Sequence, residues 1–433
     1  VLFTVKKIRF EQDKQNYETN NRLRLKRIEK QKRKNTEKTF LVFMGYKQMS
    51  KCVFAGSFDP ITNGHIEIIK KDTVLVIATL LAIISMFFNL PSKEYLDFID
   101  FRVLGILLSL MIVMAGLSIN GIFEGLGKSL IKKCNSTRML AFVLIFLCFF
   151  SSMLLTNDVA LITFVPLALL TLKMSGNEKL IVIVVVMQTI AANLGSMLTP
   201  MGNPQNLYLY GISGMNIVEF IMLMLPYTIV AAVLLCVVLF TIKKEELTLN
   251  ISEESKKDAS KWRVAVYFVM FILCILVVVR VVPWQVVTVL IFAITLFMEK
   301  EAVKGADYAL LLTFIAFFIF IGNMGELPAV KNVLSKLVEG REVIVSVISS
   351  QAVSNVPAAL LLSGFTTNYE GLIIGTNLGG LGTLIASMAS LISYKQVANE
   401  KSDIKGKYFM SFTIWNVVFL VILLVAYFVI SRI

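Results

Sequence analysis

Ser151-Ser-Met-Leu-Leu-Thr-Asn-Asp-Val-Ala-Leu161 sets three polar residues, Thr156, Asn157 and Asp158, inside an apolar stretch running from Met139 to Leu172. A second stretch, Ser349-Ser-Gln-Ala-Val-Ser-Asn-Val-Pro-Ala-Ala359, repeats the pattern Ser-Ser-x-x-(Leu/Val)-(Ser/Thr)-Asn-x-x-Ala in the later half of the chain. In hydrocarbon an unpaired backbone group is costly, so an interruption at membrane depth survives only where it lines a protein or water-filled cavity. Both stretches therefore read as tips of re-entrant helical hairpins rather than as pairs of full spans.

The rest of the chain agrees with a membrane setting. Hydrophobic residues make up 57% and charged residues 16%, with a mean hydropathy of +0.77, against about 45–50% and about 25% in soluble proteins. Apolar runs follow one another from Thr73 to Ile430, several of them near the roughly 20 residues a helix needs to cross a bilayer. About ten spans are expected, making an all-α polytopic protein. The five cysteines (Cys52, Cys134, Cys148, Cys236, Cys274) show no CxxC or CxxxH spacing, which argues against a zinc site or a disulfide framework. His65 is the single histidine and lies outside the apolar body, so no imidazole serves a proton relay or a metal there. No GxxxxGK(S/T) loop occurs, which speaks against an ATP-driven pump.

Charge placement orients the hairpins. The positive-inside rule assigns Lys70/Lys71, Lys128 to Arg138, Lys173/Lys179, Lys243 to Arg263, Lys300/Lys304 and Lys395 to Lys407 to the cytoplasm. That works only if the first hairpin enters and leaves on the cytoplasmic side, between Arg138 and Lys173, while the second enters from outside, between Arg341 and Tyr369. Related hairpins of opposite entry mark an inverted-topology repeat whose site lies near the midplane at the repeat interface. A second matched pair follows the hairpins. Ala192-Asn-Leu-Gly-Ser-Met-Leu-Thr-Pro-Met-Gly-Asn-Pro-Gln-Asn206 and Thr376-Asn-Leu-Gly-Gly-Leu-Gly-Thr383 share Asn-Leu-Gly, each in a helix that Gly or Pro breaks. Two spans precede the first hairpin and three the second. The expected divisions are a leader at 1–71, one repeat at 72–242, a cytoplasmic linker at 243–261 and a second repeat at 262–433.

The leader differs in kind. Residues 1–71 hold 17 of the 42 Lys/Arg and 7 of the 29 Asp/Glu. Within it, Lys51-Cys-Val-Phe-Ala-Gly-Ser-Phe-Asp-Pro-Ile-Thr-Asn-Gly-His-Ile-Glu-Ile-Ile-Lys-Lys71 resembles the start of phosphopantetheine adenylyltransferase, including a Thr62-Asn63-Gly64-His65 signature. The resemblance ends at Lys71, before the further strands that a nucleotide site requires as a scaffold. The leader is therefore expected to be inert, and a membrane-anchored nucleotidyltransferase is the alternative of another class.

Thr156-Asn-Asp-Val-Ala, Gly202-Asn-Pro-Gln-Asn, Ser354-Asn-Val-Pro-Ala and Asn377-Leu-Gly-Gly resemble the ion transporter superfamily, which includes citrate transporter-like proteins, arsenite permeases, sodium antiporter-like proteins and divalent anion:sodium symporters. The resemblance spans residues 72–433. It implies a secondary transporter of a small anion, a citrate- or dicarboxylate-like acid or an inorganic oxyanion, coupled to sodium or protons by alternating access. A sodium/proton antiporter is the rival within the class. Asp158 and Val356 depart from the Ser-Asn-Thr tips of the symporters, which leans toward the permease and antiporter branch. An ionised carboxylate at membrane depth is costly, and Asp158 is the sharpest functional candidate. Asn157, Asn203, Asn355 and Asn377 offer carbonyl oxygens suited to a hard cation. The expected ion- and substrate-binding set is Thr156, Asn157, Asp158, Asn193, Gly202, Asn203, Ser354, Asn355, Asn377 and Gly379, with Na⁺ at Asn157, Asp158 and Asn355. No catalytic residue and no cofactor beyond the coupling ion is expected. Expected partners are a small anion, sodium or a proton and the lipid bilayer, with a homodimer as the candidate assembly and no nucleic acid. The expected location is the cytoplasmic membrane, with the N-terminus inside.

Overall fold

A computed structural model describes residues 73–91, 95–246 and 260–432. The adenylyltransferase-like leader and linker residues 247–259 lie outside the described residues. Contacts divide the chain into Val1–Val76 and Ile77–Ile433. Of the first unit only the opening turn of a helix is described, and all the remaining described residues belong to the second.

Helices α1 (Thr73–Met86) and α2 (Tyr95–Phe98) lead to α3 (Phe101–Ile119) and the amphipathic α4 (Ile122–Ile131). Two hairpin arms come next, α5 (Thr137–Ser152) and α6 (Asn157–Met174). Then α7 (Ile181–Gly195) is parted by a 3-10 turn at Ser196–Leu198 from α8 (Pro204–Ser213), and the long α9 (Ile217–Phe240) closes this run. The second run opens with α10 (Lys261–Val278), α11 (Trp284–Met298), α12 (Lys300–Lys304), α13 (Tyr308–Gly325) and the amphipathic α14 (Pro328–Val338). It continues through hairpin arms α15 (Glu342–Val353) and α16 (Asn355–Ser363), half-helices α17 (Tyr369–Leu378) and α18 (Met388–Glu400), and α19 (Lys405–Ile430). From α11 onward the order matches that from α1. Even the caps agree: Asp100 Oδ1 accepts from the Val103 amide at 3.0 Å at the start of α3, and Asp307 Oδ1 from the Leu310 amide at 2.9 Å at the start of α13. Helix α10 is the extra element of the second run.

Among the described residues seven segments are long and apolar enough to cross a membrane: α3, α6, Glu178–Leu198, α9, α10, α13 and α19. Four apolar helices among the described residues are shorter, α1, α5, α11 and α15. The first hairpin is longer than a re-entrant tip requires. Its second arm, α6, runs 18 residues, because apolar sequence continues unbroken to Lys173, whereas α16 stops after nine at Ser363-Gly364.

Packing sorts each helix into an inner and an outer face. Along α9, Val218, Met222, Ile229, Val233, Val237 and Phe240 are exposed, and along α19 so are Met410, Ile414, Val421, Val425 and Val429. Apolar stripes of this extent suit lipid rather than water. On the other side of α19, Tyr408, Phe412, Asn416, Phe419 and Leu423 are buried. Helix α7 occupies the centre, packed by α5, α6, α9, α18 and α19. Several basic loops lie together at one end. Arg138 Nε donates to the Ile242 carbonyl at 2.9 Å, Lys179 pairs with Glu245 at 3.4 Å, and Lys401 pairs with Glu178. The start of the predicted linker is held against the start of α5 by the Arg138–Ile242 bond, by Thr137 Oγ1 donating to the Lys243 carbonyl at 2.7 Å and by the Thr137–Glu245 backbone bond at 3.0 Å.

Candidate functional site

Each hairpin tip turns on a different device. Between α5 and α6, Met153 to Thr156 make the turn, and the Thr156 hydroxyl caps α6 by accepting from the Val159 amide at 3.5 Å. Between α15 and α16 only Ser354 lies outside both helices, and it alone reverses the chain at φ 77°, ψ 155°. That region is essentially reserved for glycine and costs about 1–3 kcal/mol for any other residue.

Beyond the turn the tips agree closely. The Asn157 carbonyl oxygen Oδ1 accepts from the Asp158 amide at 2.9 Å, and Asn355 Oδ1 accepts from the Val356 amide at 3.0 Å. The backbone N–H of Asn157 donates to the Gly202 carbonyl at 3.2 Å, and that of Asn355 to the Ala386 carbonyl at 2.9 Å. Gly202 and Ala386 each lie in the break of the helix that follows their own hairpin.

The two broken helices interlock across the halves. Asn193, of the first Asn-Leu-Gly, accepts from Ser387 Oγ at 3.0 Å and donates to Ser390 Oγ at 3.4 Å. Asn377, of the second, accepts from Asn203 Nδ2 at 3.5 Å and donates to Asn206 Oδ1 at 2.6 Å. The partners stand at the same two places after each Asn-Leu-Gly, so each half completes the asparagine of the other. The helices follow the same exchange, with α8 packed on α16 and α18 packed on α6. Asn157 joins the network by donating from Nδ2 to Asn193 Oδ1 at 3.0 Å.

The glycines let backbones approach. A Cβ on Gly195 would stand 2.1 Å from the Phe149 carbonyl oxygen, and one on Gly202 2.1 Å from that of Ser196. A Cβ on Gly379 would stand 2.7 Å from Ser350 Oγ, and the Gly379 carbonyl accepts from Gln351 Nε2 at 3.0 Å.

Of the expected residues, Asn157, Asn193, Gly202, Asn203, Asn355 and Asn377 therefore fall in the tip-to-break and cross-half bonds. Asp158 adjoins Asn157, Thr156 caps α6, and Gly379 serves the approach of α15. Among the described residues no hydrogen bond joins Asn157 or Asp158 directly to Asn355, so the tips communicate through the broken helices. Asn206, Ser387, Ser390 and Gln351 escape the sequence reading. Asn206 lies inside the Gly202-Asn-Pro-Gln-Asn motif, whereas Ser387 and Ser390 carry no local signal because their role depends on Asn193 in the other half.

Some polar atoms here are buried without a partner: Asp158 Oδ1, Asn203 Oδ1 and both side-chain atoms of Gln205. Buried polar groups are normally paired, so these three acceptors and one donor are exceptions in this part of the fold. Among the described residues no group of three His, Cys, Asp or Glu forms a transition-metal cage. The available oxygens are a carboxylate and neutral amides, the donor set of a hard cation.

Comparison with known sequences bears on this arrangement. The sequence model of the citrate transporter family matches residues 65–369. An uncharacterized transporter of Methanocaldococcus jannaschii is 32% identical over 307 residues, 70% of this chain and 82% of that protein. Inner membrane protein YbiR of Escherichia coli K12 is 31% identical over 325 residues, 73% of this chain and 85% of its own length. A separate match of 55 residues, 40% identical, relates 13% of this chain to 33% of a phosphopantetheine adenylyltransferase of Haemophilus influenzae.

Proposed function

Because the chain belongs to the citrate transporter family, as a multi-pass membrane protein, we propose that it is a secondary active transporter of a small anion, coupled to sodium or protons by alternating access. The single observation that carries this reading furthest is the reciprocal bonding of Asn193 and Asn377 across the halves. It supports two repeats related by a pseudo-two-fold axis, with the site at their interface and the repeats at 72–242 and 262–433. The Methanocaldococcus jannaschii relative, named as a transporter, supports transport rather than catalysis.

The chemistry of the site fits a co-bound ion and anion. No Lys or Arg occurs from Met139 to Leu172 or from Glu342 to Tyr394, so no fixed cationic side chain from these stretches offsets a cargo anion. Half-helix N-termini at α6, α8 and α16 supply partial positive charge, and a coupling cation on Asp158 and Asn203 supplies the remainder. Access alternates when the α5–α6 and α15–α16 hairpins move with their partners α18 and α8. Uptake into proteoliposomes tests this. Citrate, malate or phosphate should accumulate under an inward sodium or proton gradient, and Asp158→Asn should cut gradient-driven uptake at least about tenfold while the protein remains folded. Equal uptake by the variant would remove the assigned role of Asp158.

The unpartnered Asp158 Oδ1 also favours a second reading, a sodium/proton antiporter in which this carboxylate exchanges the two ions. Proton-driven ²²Na⁺ uptake with no anion present would establish it. The adenylyltransferase match covers a third of that enzyme and supports no catalytic role for the whole chain.

A further inference from the structure

Gln205 stands on the first turn of α8, between Asn203 and Asn206, whose side chains both engage Asn377 of the other half. It is 1% exposed, and neither its amide nitrogen nor its amide oxygen has a partner. The other buried glutamines and asparagines described each pair at least one side-chain polar atom, and so does half-buried Gln351. Gln351 donates to the Gly379 and Leu381 carbonyls at 3.0 and 2.9 Å and accepts from the Thr383 amide at 2.9 Å. Gln188 donates to the Leu144 and Phe164 carbonyls at 3.1 and 3.3 Å. Among the described residues Gln205 is the one buried amide whose two side-chain polar atoms are both unpaired. A leucine would fill the same space without that penalty.

We infer that Gln205 is a specificity-determining residue of the transport site, whose amide takes a cargo group that gives one hydrogen bond and receives another: an O–H beside an anionic oxygen. This rests on the anion-transport reading. A fully ionised carboxylate only accepts, so it would pair with Nε2 and repel Oε1. A bare cation would do the reverse. A hydroxyl next to a carboxylate, or the O–H of a partly protonated oxyanion, satisfies both atoms at once. The lack of Lys and Arg along both hairpins adds to this, because a cargo that carries a hydrogen-bond donor depends less on fixed positive charge.

The test uses the full-length protein, purified, with two matched pairs of probes that differ in the hydroxyl: malate against succinate, and hydrogenphosphate against sulfate. Apparent affinities come from ligand-dependent thermal stabilisation and from competition in proteoliposome uptake. The wild type should prefer the O–H-bearing member of at least one pair by about tenfold or more. Preference in the first pair identifies a hydroxycarboxylate, and preference in the second a protonated oxyanion. Gln205→Leu and Gln205→Met should lose that preference while melting, without ligand, at or above the wild-type temperature. Equal affinities within both pairs, a preference that persists in both variants, or ligand-free destabilisation of both variants would overturn the inference, the last by showing a structural amide. Indifference with anion uptake intact overturns the inference alone. If the wild type takes up none of the four anions yet drives sodium against a proton gradient, the anion-transport reading falls and the inference with it.

Discussion

Ser354 shows what one residue can hold. It makes the second hairpin turn by itself at a backbone conformation suited to glycine, and its hydroxyl lies 3.4 Å from both Asn355 Oδ1 and the Ala386 carbonyl. A serine in this conformation carries strain that a glycine there would remove. Ser354→Gly should therefore melt higher than Ser354→Ala, by about 1–2 kcal/mol in unfolding free energy, because alanine keeps the strain and loses the hydroxyl while glycine relieves it. Thermal unfolding of the two variants measures this, and the opposite order would show the turn to be unstrained. Both variants should transport less well than the wild type. Asp158 belongs to the same scale: its place at the start of α6 was legible from the sequence, but that its Oδ1 would be left without a partner was not.

At the scale of elements, the close approach of α5 and α7 holds the first hairpin to the broken helix. Gly195 permits it, with the Phe149 carbonyl where a Cβ would stand and Ser152 Oγ 2.6 Å from the same point. Gly195→Ala should cost about 1–3 kcal/mol of stability through overpacking. Gly125→Ala in α4, where a Cβ meets nothing within 4 Å, should instead leave stability unchanged or raise it by up to about 1 kcal/mol through helix propensity. Melting temperatures of the pair provide the measurement, and a harmless Gly195→Ala would mean that α5 and α7 slide freely. The helix ends and breaks were legible in Pro204, in the Asn-Leu-Gly motifs and in the polar tips. The length of α6 was not, because an apolar run records solubility in lipid and not whether a helix crosses it or turns back.

Across the whole molecule, the arrangement of loops is what carries topology. The pairs Lys179–Glu245 and Lys401–Glu178 place loops from both runs at a common end, all of them assigned by charge to the cytoplasm. Arg341, at the start of the second hairpin, is assigned to the opposite face. In a chain with its native cysteines replaced, a membrane-impermeant maleimide added outside cells should label Arg341→Cys at once and Lys179→Cys only after permeabilisation. Labelling of both from one side would refute the inverted repeat.

The sequence by itself determined the membrane class, the two polar tips, the broken helices and most of the asparagines that line them. These are local matters: hydropathy, helix breaking and side-chain chemistry act within a few residues. Only the tertiary structure decided that Asn193 is completed by Ser387 and Ser390, that Asn377 is completed by Asn203 and Asn206, and that Gln205 is left with no partner at all. Partners so far apart in the chain are chosen by which helices pack together, and a residue's want of a partner exists only once every neighbour is in place.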